Sequence, residues 1–104
     1  MTEYVYLVLE YHIAKSSPAE TRFLIPENHK LIYSEPYGRK THFKKYYEVP
    51  KGSKVVGIRK SNRGNIRTRE FTINDHTFID FLLNVYPLNY FEVKRIELIK
   101  KMNR

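Results

Sequence analysis

Cysteine, tryptophan and glutamine are absent from this chain of 104 residues. Without cysteine, neither a disulfide nor a thiolate metal site can form. The short length excludes a TIM barrel and a complete dinucleotide-binding fold. No run of about 18 apolar residues occurs, so we expect no membrane-spanning helix and no membrane partner.

The sequence motifs of several enzyme classes are also missing. It has no Walker loop, no G-x-G-x-x-G and no G-x-S-x-G nucleophile elbow. Glu92-Val93-Lys94 has the E-x-K pattern of metal-dependent nucleases, but the only aspartates, Asp75 and Asp80, fall in a predicted helix. His12 and His42 could in principle cleave RNA by acid–base catalysis, yet nothing in the sequence brings them together. We therefore expect a non-enzymatic protein without metal or cofactor.

Positive charge is concentrated in the middle third of the chain. The formal net charge is +8, but residues 36–69 contain eleven Lys or Arg and one acid, Glu48, a net charge of +10. A concentrated positive field attracts polyanions such as nucleic acid or an acidic protein. The alternative is a solvated face that only keeps the protein in solution.

In the first half, apolar and turn residues predict strand, strand, helix and strand. Tyr4 to Ile13 is apolar on both faces as far as Leu9, which predicts a central, covered strand. Thr21 to Ile25 is expected to return as its hairpin partner after a loop from Lys15 to Ala19. A short helix is predicted to open at Pro26 and end at Pro36-Tyr37-Gly38, before a strand from Phe43 to Val49.

The second half predicts the same order of elements. Lys54 to Arg59 and Ile66 to Ile73 form a hairpin around Asn62-Arg63-Gly64-Asn65, where Gly and Asn tolerate positive φ. Asn74 or Asp75 caps a helix that runs to about Val85. Phe91 to Ile99 is the last predicted strand, with a bulge where its apolar pattern changes phase.

The two halves predict a duplicated architecture. Thr21-Arg22-Phe23-Leu24-Ile25 resembles Thr68-Arg69-Glu70-Phe71-Thr72-Ile73, at an offset that varies between 47 and 50 residues along the halves. One unit of about 50 residues is too small to bury its own apolar face. We therefore expect a single α+β domain over residues 1–104, in which two related β-β-α-β units, 4–50 and 53–100, pack about a pseudo-twofold axis with mainly antiparallel sheet.

The second hairpin carries the sharpest functional signal. A two-stranded ribbon fits the DNA major groove, and Arg is the commonest reader of guanine edges. Arg67 and Arg69 alternate with Ile66 and Thr68, so both should lie on one face. Lys44 and Lys45 add basic groups beside two tyrosines that could stack on bases. The candidate nucleic-acid-binding residues are Arg59, Lys60, Arg63, Arg67, Arg69, Lys44 and Lys45.

The segment YVYLVLEYH, the repeat and a composition poor in thermolabile residues give the chain a family character. In these features it resembles small orphan proteins of filamentous viruses that infect hyperthermophilic archaea. The resemblance implies a cytoplasmic setting in the host and a non-catalytic role, and it carries over no site residues.

Two binding functions follow from these observations. The first is nucleic-acid binding through the basic 36–69 region, mostly by phosphate contact. The alternative is a protein–protein module that takes an extended, acidic peptide in the groove between the two units. A homodimer joined through exposed strand edges is also possible on this pattern.

Overall fold

The computed structural model describes residues 2–13, 19–37 and 42–103. Within these ranges the chain forms eight strands and one helix. Their bounds are β1 Tyr4–His12, β2 Glu20–Leu24, β3 Lys30–Tyr37, β4 His42–Pro50, β5 Ser53–Lys60, β6 Ile66–Ile73, β7 Thr77–Ile79, β8 Val85–Pro87 and α1 Tyr90–Met102. The fold is therefore α+β with mainly antiparallel sheet, as predicted.

β1 is the central strand of a five-stranded sheet with the order β3-β4-β1-β7-β8. It pairs antiparallel with β4 and parallel with β7. Leu7 and Leu9 point to one face of the sheet and Val8 points to the other, and all three are buried. The prediction of a central strand that is covered on both faces is confirmed.

A three-stranded sheet, in the order β2-β5-β6, covers one face of the five-stranded sheet. The core between the two sheets contains Leu7, Val49, Val55, Phe71 and Leu83 among its buried side chains. The opposite face of the five-stranded sheet is covered by α1, whose buried Ile96 packs with Val8 and Tyr46. The molecule thus has three layers, with β1 in the middle one.

The hairpin predicted in the second half is confirmed. β5 and β6 pair in register from Ser53 opposite Ile73 to Lys60 opposite Ile66. Gly64 has a φ of 83°, and its amide donates to the Ser61 carbonyl, which closes the turn. A residue with a β-carbon is strained in this conformation, so the turn requires glycine at position 64.

The helix predicted from Pro26 is wrong, because this segment forms a single turn and then strand β3. The only helical bond at its start is the one from the His29 amide to the Pro26 carbonyl. β3 lies at the sheet edge, where Pro36 needs no amide donor. A register shift between Leu31 and Tyr33 turns the apolar side chain of Ile32 toward the layer of α1.

The helix predicted from Asn74 or Asp75 to Val85 is also wrong. The segment forms β7 and β8, joined by a tight loop, 80–84. The Asp80 carboxylate accepts bonds from the Leu82 and Asn84 amides, and the amide of Leu83 donates to the Asp80 carbonyl. These local bonds close a turn where a helix would need regular bonds between residues four apart.

The strand predicted from Phe91 to Ile99 is a helix, α1. It begins with a capping box, in which the Asn89 side chain accepts from the Glu92 amide and Glu92 accepts from the Asn89 amide. The spacing of Val93, Ile96 and Ile99 places these partly or fully buried residues on one helical face. The break in the alternating apolar pattern between Val93 and Ile96 therefore reflects the period of a helix and not a β-bulge.

The structure does not show the repeated β-β-α-β unit, because neither half has its helix between the second and third strand. β2 also leaves β1 after one bridge, between Ile13 and Glu20, and pairs with β5 in the other sheet. Residues 14–18 of the predicted first loop, and Gly38, Arg39 and Lys40, lie outside the described residues. In the part of the chain that is described, no helix is long and apolar enough to cross a bilayer.

Candidate nucleic-acid interface

Three arginines of the β5–β6 hairpin share one face of the three-stranded sheet. Arg59 lies directly opposite Arg67 in register, and Arg69 lies opposite Gly57, two residues further along. Because side chains alternate along a strand, all three lie on the face that also carries the core residues Val55 and Phe71. We call Arg59, Arg67 and Arg69 the arginine cluster. The prediction that Arg67 and Arg69 share a face is confirmed.

The loop 80–84 between β7 and β8 receives two of these arginines. Arg67 Nη1 donates to the Leu82 carbonyl at 3.4 Å, and Arg69 Nη1 donates to the Leu83 carbonyl at 2.9 Å. The Arg69 guanidinium also lies over the Phe71 ring, 4.9 Å from its centroid. Both guanidinium groups therefore have neutral partners and retain their full positive charge.

Arg59 lies at the other side of the cluster, among polar and aromatic groups. Its Nη1 atom is 3.1 Å from His12 Nδ1 and 3.1 Å from Thr21 Oγ1. The guanidinium carbon is 5.3 Å from the centroid of the Phe81 ring. The buried Thr21 hydroxyl in turn donates to the Phe81 carbonyl at 2.9 Å, which ties the loop to β2.

Two histidines stack next to Arg59. His12 and His42 lie opposite each other in the β1–β4 register, and their ring centroids are 4.5 Å apart with an angle of 17° between the planes. Phe81 contacts both rings edge-on, at 5.2 Å and 5.0 Å. No motif in the sequence predicts that the two histidines meet. Only an antiparallel pairing of the first and third predicted strands, which sets residue 12 opposite residue 42, could have joined them.

Five basic residues at this end of the hairpin have no carboxylate within 4.0 Å among the described residues: Arg59, Lys60, Arg63, Arg67 and Arg69. At the opposite end of the hairpin, Lys54 pairs with Glu70 at 3.8 Å and Lys51 pairs with Glu3 at 3.4 Å. Like charges directly across a sheet destabilise it by about 0.2–1 kcal/mol. Arg59 and Arg67 are therefore opposed like charges that no described carboxylate contacts within 4.0 Å.

The remaining candidate residues do not join the cluster. Lys60 alternates with Arg59 and lies on the other face of the three-stranded sheet, and Arg63 lies in the exposed turn. Lys44 and Lys45 point to opposite faces of the five-stranded sheet, Lys44 over Phe78 and Lys45 over the Tyr11 and Phe43 rings. Among the described residues, the basic side chains of the 36–69 region thus spread over several faces and do not form one patch.

Two acids lie close to the cluster and are engaged by the loop. Glu10 is buried, and its Oε1 accepts from the Phe81 amide at 3.4 Å. Asp80 binds the Leu82 and Asn84 amides, and its second oxygen accepts from the Tyr86 hydroxyl at 3.3 Å. These carboxylates therefore shape the loop on which the arginines rest.

A separate pocket of about 470 Å³ lies between β3 and α1. Lys30, Lys100 and Lys101 line it together with Glu97, and Tyr6 and Ile32 provide apolar surface. Lys100 is engaged by Glu48 at 2.6 Å. β3 lies at the edge of its sheet, with no further strand paired to it among the described residues, and Asn103 Nδ2 donates to its Ile32 carbonyl beside the pocket.

The described residues contain no group of three or more histidine and acidic side chains that could hold a metal ion. Comparison with protein families, with curated proteins and with solved structures gives no match to this chain.

Proposed function

We propose that the chain binds nucleic acid, and that the arginine cluster is the centre of the contact. The observation that carries the proposal is the set of three guanidinium groups on one face, held by carbonyl, hydroxyl and imidazole partners instead of carboxylates. A guanidinium presents its N–H groups as a planar fork that matches two phosphate oxygens. An incoming phosphate would offset the repulsion between Arg59 and Arg67.

The basic residues around the cluster extend its reach. Arg63 in the turn is exposed and can meet a backbone that runs from the cluster to the tip of the hairpin, while Lys60, on the other face of the sheet, adds to the local positive charge. Lys44 and Lys45 lie on the neighbouring sheet, so they attract the nucleic acid over a longer range and do not contact it at the arginine cluster. Because most of these contacts are to phosphate, we expect little sequence preference and a strong dependence on salt.

Fluorescence anisotropy with labelled single-stranded and duplex oligonucleotides, over a series of salt concentrations, tests the proposal. The double variant Arg67→Gln/Arg69→Gln keeps side chains that can donate to the loop carbonyls but removes two charges. If each arginine meets one phosphate, the slope of log K against log salt falls in magnitude by about 2.

The matched control is Lys51→Gln/Lys54→Gln, which removes two charges from the other end of the same hairpin. These lysines are paired with Glu3 and Glu70, so we expect the salt slope of the control to equal that of the unmodified chain. Equal losses in the two double variants would assign binding to net charge alone. Binding that is weak and insensitive to salt would contradict the proposal.

A second candidate function is capture of an extended, acidic peptide. The pocket between β3 and α1 favours it, because a strand edge that can accept an added strand lies beside Lys30 and Lys101. A labelled acidic peptide should then shift the NMR signals of β3 and α1 and leave those of the β5–β6 hairpin unchanged. Shifts confined to the hairpin would favour the polyanion proposal instead.

Under this proposal the chain is a binding module without catalysis, metal or cofactor, as the sequence suggests. Three further expectations from the sequence stay predictions: that the protein comes from a filamentous virus of hyperthermophilic archaea, that it acts in the host cytoplasm, and that it forms a homodimer through strand edges. Sedimentation equilibrium in the absence of ligand measures the oligomeric state.

A further inference from the structure

The contact between Arg59 and His12 fixes the protonation state of the histidine. A guanidinium can only donate hydrogen bonds, so His12 Nδ1, 3.1 Å from Arg59 Nη1, must be the acceptor. An acceptor nitrogen carries no proton. The contact therefore exists only while His12 is neutral, with its single proton on Nε2.

Arg59 is turned into the molecule by this contact and by two more. The same Nη1 atom donates to Thr21 Oγ1, and the guanidinium lies over the Phe81 ring. Together with His12, the Thr21 hydroxyl occupies the Nη1 donors that would otherwise be presented to a phosphate, while the Phe81 ring packs on the guanidinium plane. Arg67, directly opposite, makes a long bond of 3.4 Å to the Leu82 carbonyl, its one side-chain hydrogen bond within the described residues.

A proton on His12 Nδ1 removes the acceptor and sets an imidazolium against the guanidinium. The charged and titratable groups that face His12 are His42 on β4, Arg59 on β5 and Glu10 on β1 itself. From the loop, Phe81 contacts the ring while Asp80 directs its carboxylate to Asn84 and Tyr86, and Thr21 on β2 is uncharged. Attraction to Glu10 does not restore a bond to Arg59.

The pKa of His12 agrees with this geometry. Burial lowers it below its ordinary value, the charges of His42 and Arg59 lower it further, and Glu10 acts in the opposite direction. The ligand-free chain thus keeps His12 neutral and Arg59 bound at neutral pH.

We propose that protonation of His12 releases Arg59 from the imidazole and weakens its inward hold, so that polyanion binding at the arginine cluster takes up a proton and strengthens on acidification. This inference rests on the proposed function and adds the regulation of the same site. In the free chain His12 holds Arg59 back, and in the bound state the phosphate takes the donors that His12 gives up.

The test measures the affinity for a labelled oligonucleotide between pH 8 and pH 5 at constant ionic strength. For one linked proton, affinity rises by up to about tenfold per pH unit as the pH falls from the pKa of His12 in the complex to its lower pKa in the ligand-free chain, and it levels off below that. His12→Gln has a carbonyl oxygen that accepts from Arg59 at every pH, so it should lose most of this rise. His42→Gln keeps the His12 contact, so it should retain the rise in affinity, displaced to higher pH because one of the charges that lower the pKa of His12 is gone.

His12→Ala separates release of Arg59 from a simple gain of charge on the histidine. At pH 8 the histidine is neutral, so removal of its charge predicts no change in affinity. Release of Arg59 predicts tighter binding at pH 8, and thermal melting checks that each variant remains folded. Unchanged affinity of His12→Ala, or an equal pH profile in His12→Gln and the unmodified chain, overturns the inference and leaves the proposed function intact. No binding even at pH 5 overturns both.

Discussion

Gly57 faces Leu83 so closely that a β-carbon at position 57 would lie 2.6 Å from Leu83 Cδ2. Leu83 is fully buried and has a φ of 67°, a left-handed conformation that costs an ordinary residue about 1–2 kcal/mol. The absence of a side chain on β5 therefore leaves the space into which the loop 80–84 inserts its leucine. The loop carbonyls that hold Arg67 and Arg69 depend on this insertion.

Gly57→Ala should destabilise the fold by about 1–3 kcal/mol, the usual cost of overpacking a core. The added methyl group would also lie 3.2 Å from Phe23 and 3.3 Å from Phe71, so it has no free direction. Urea unfolding measures the effect. Leu83→Ala in the same background relieves the clash, so the two substitutions together should cost less than the sum of the single ones. Strict additivity would show that the contact does not limit the packing.

Ile96→Ala should cost about 2–5 kcal/mol, because Ile96 is buried and anchors α1 to Val8 and Tyr46. Leu98 lies on the same helix and is 58% exposed. Leu98→Ala removes a side chain of similar size, and its effect should remain within about 0.5 kcal/mol. Chemical denaturation of both variants gives the comparison, and similar losses would mean that α1 does not pack through Ile96.

Asn89→Ala should loosen the start of α1. The substitution removes the acceptor of the Glu92 amide and half of the capping box, at a cost of about 0.5–2 kcal/mol. Amide hydrogen exchange should become faster in the first turn of α1 and stay unchanged in the β5–β6 hairpin. A uniform change in exchange throughout the chain would contradict a local capping role.

Glu35, Tyr46 and Arg95 make stability depend on acid pH. Burial raises the pKa of Glu35, but the Tyr46 hydroxyl at 2.7 Å and the charge of Arg95 outweigh it and hold the pKa below its ordinary value of 4.5. A carboxyl with a lowered folded pKa contributes stability above its unfolded pKa and loses it as pH falls through the folded value. The loss should therefore begin near pH 4.5.

Glu35→Gln removes this titration and keeps the size of the side chain. For a partly exposed pair we expect the difference from the unmodified chain to be about 1 kcal/mol or less at neutral pH, and to shrink toward pH 3. Thermal melts over this pH range measure it. A difference that stays constant with pH would exclude Glu35 as the titrating group.

Strands were predictable where residue type and flanking turns point to one kind of element. The prediction was wrong where the spacing of apolar residues fits either a helix or a strand. β1, β4, β5 and β6 are rich in aromatic and β-branched residues and lie between turns, and their predicted bounds agree with the structure to within one residue. The segment from Phe78 to Val85 has apolar residues at helical spacing, yet the bonds that Asp80 makes to nearby amides favour a turn. In α1, Val93 and Ile96 are three residues apart. This spacing fits one face of a helix, but it also fits a strand with a bulge, which is the structure predicted above.

The candidate site was predictable only in part, for a similar reason. Arg67 and Arg69 share a face because they are two residues apart on one strand, which any strand assignment gives. Arg59 and His12 are 47 residues apart and lie in different sheets. Their contact depends on how the sheets pack and on where Phe81 lies, and no periodicity in the sequence encodes that.

The position of β1 in the middle of its sheet has a consequence for the order of folding. Its antiparallel partner ends at Pro50, and its parallel partner, β7, begins only at Thr77. The β5–β6 hairpin closes over a five-residue connection, so it can form early, whereas joining β1 to β7 closes a loop of more than 60 residues and is slow. During synthesis, β1 therefore leaves the ribosome well before β7 and waits longest for its full set of neighbours.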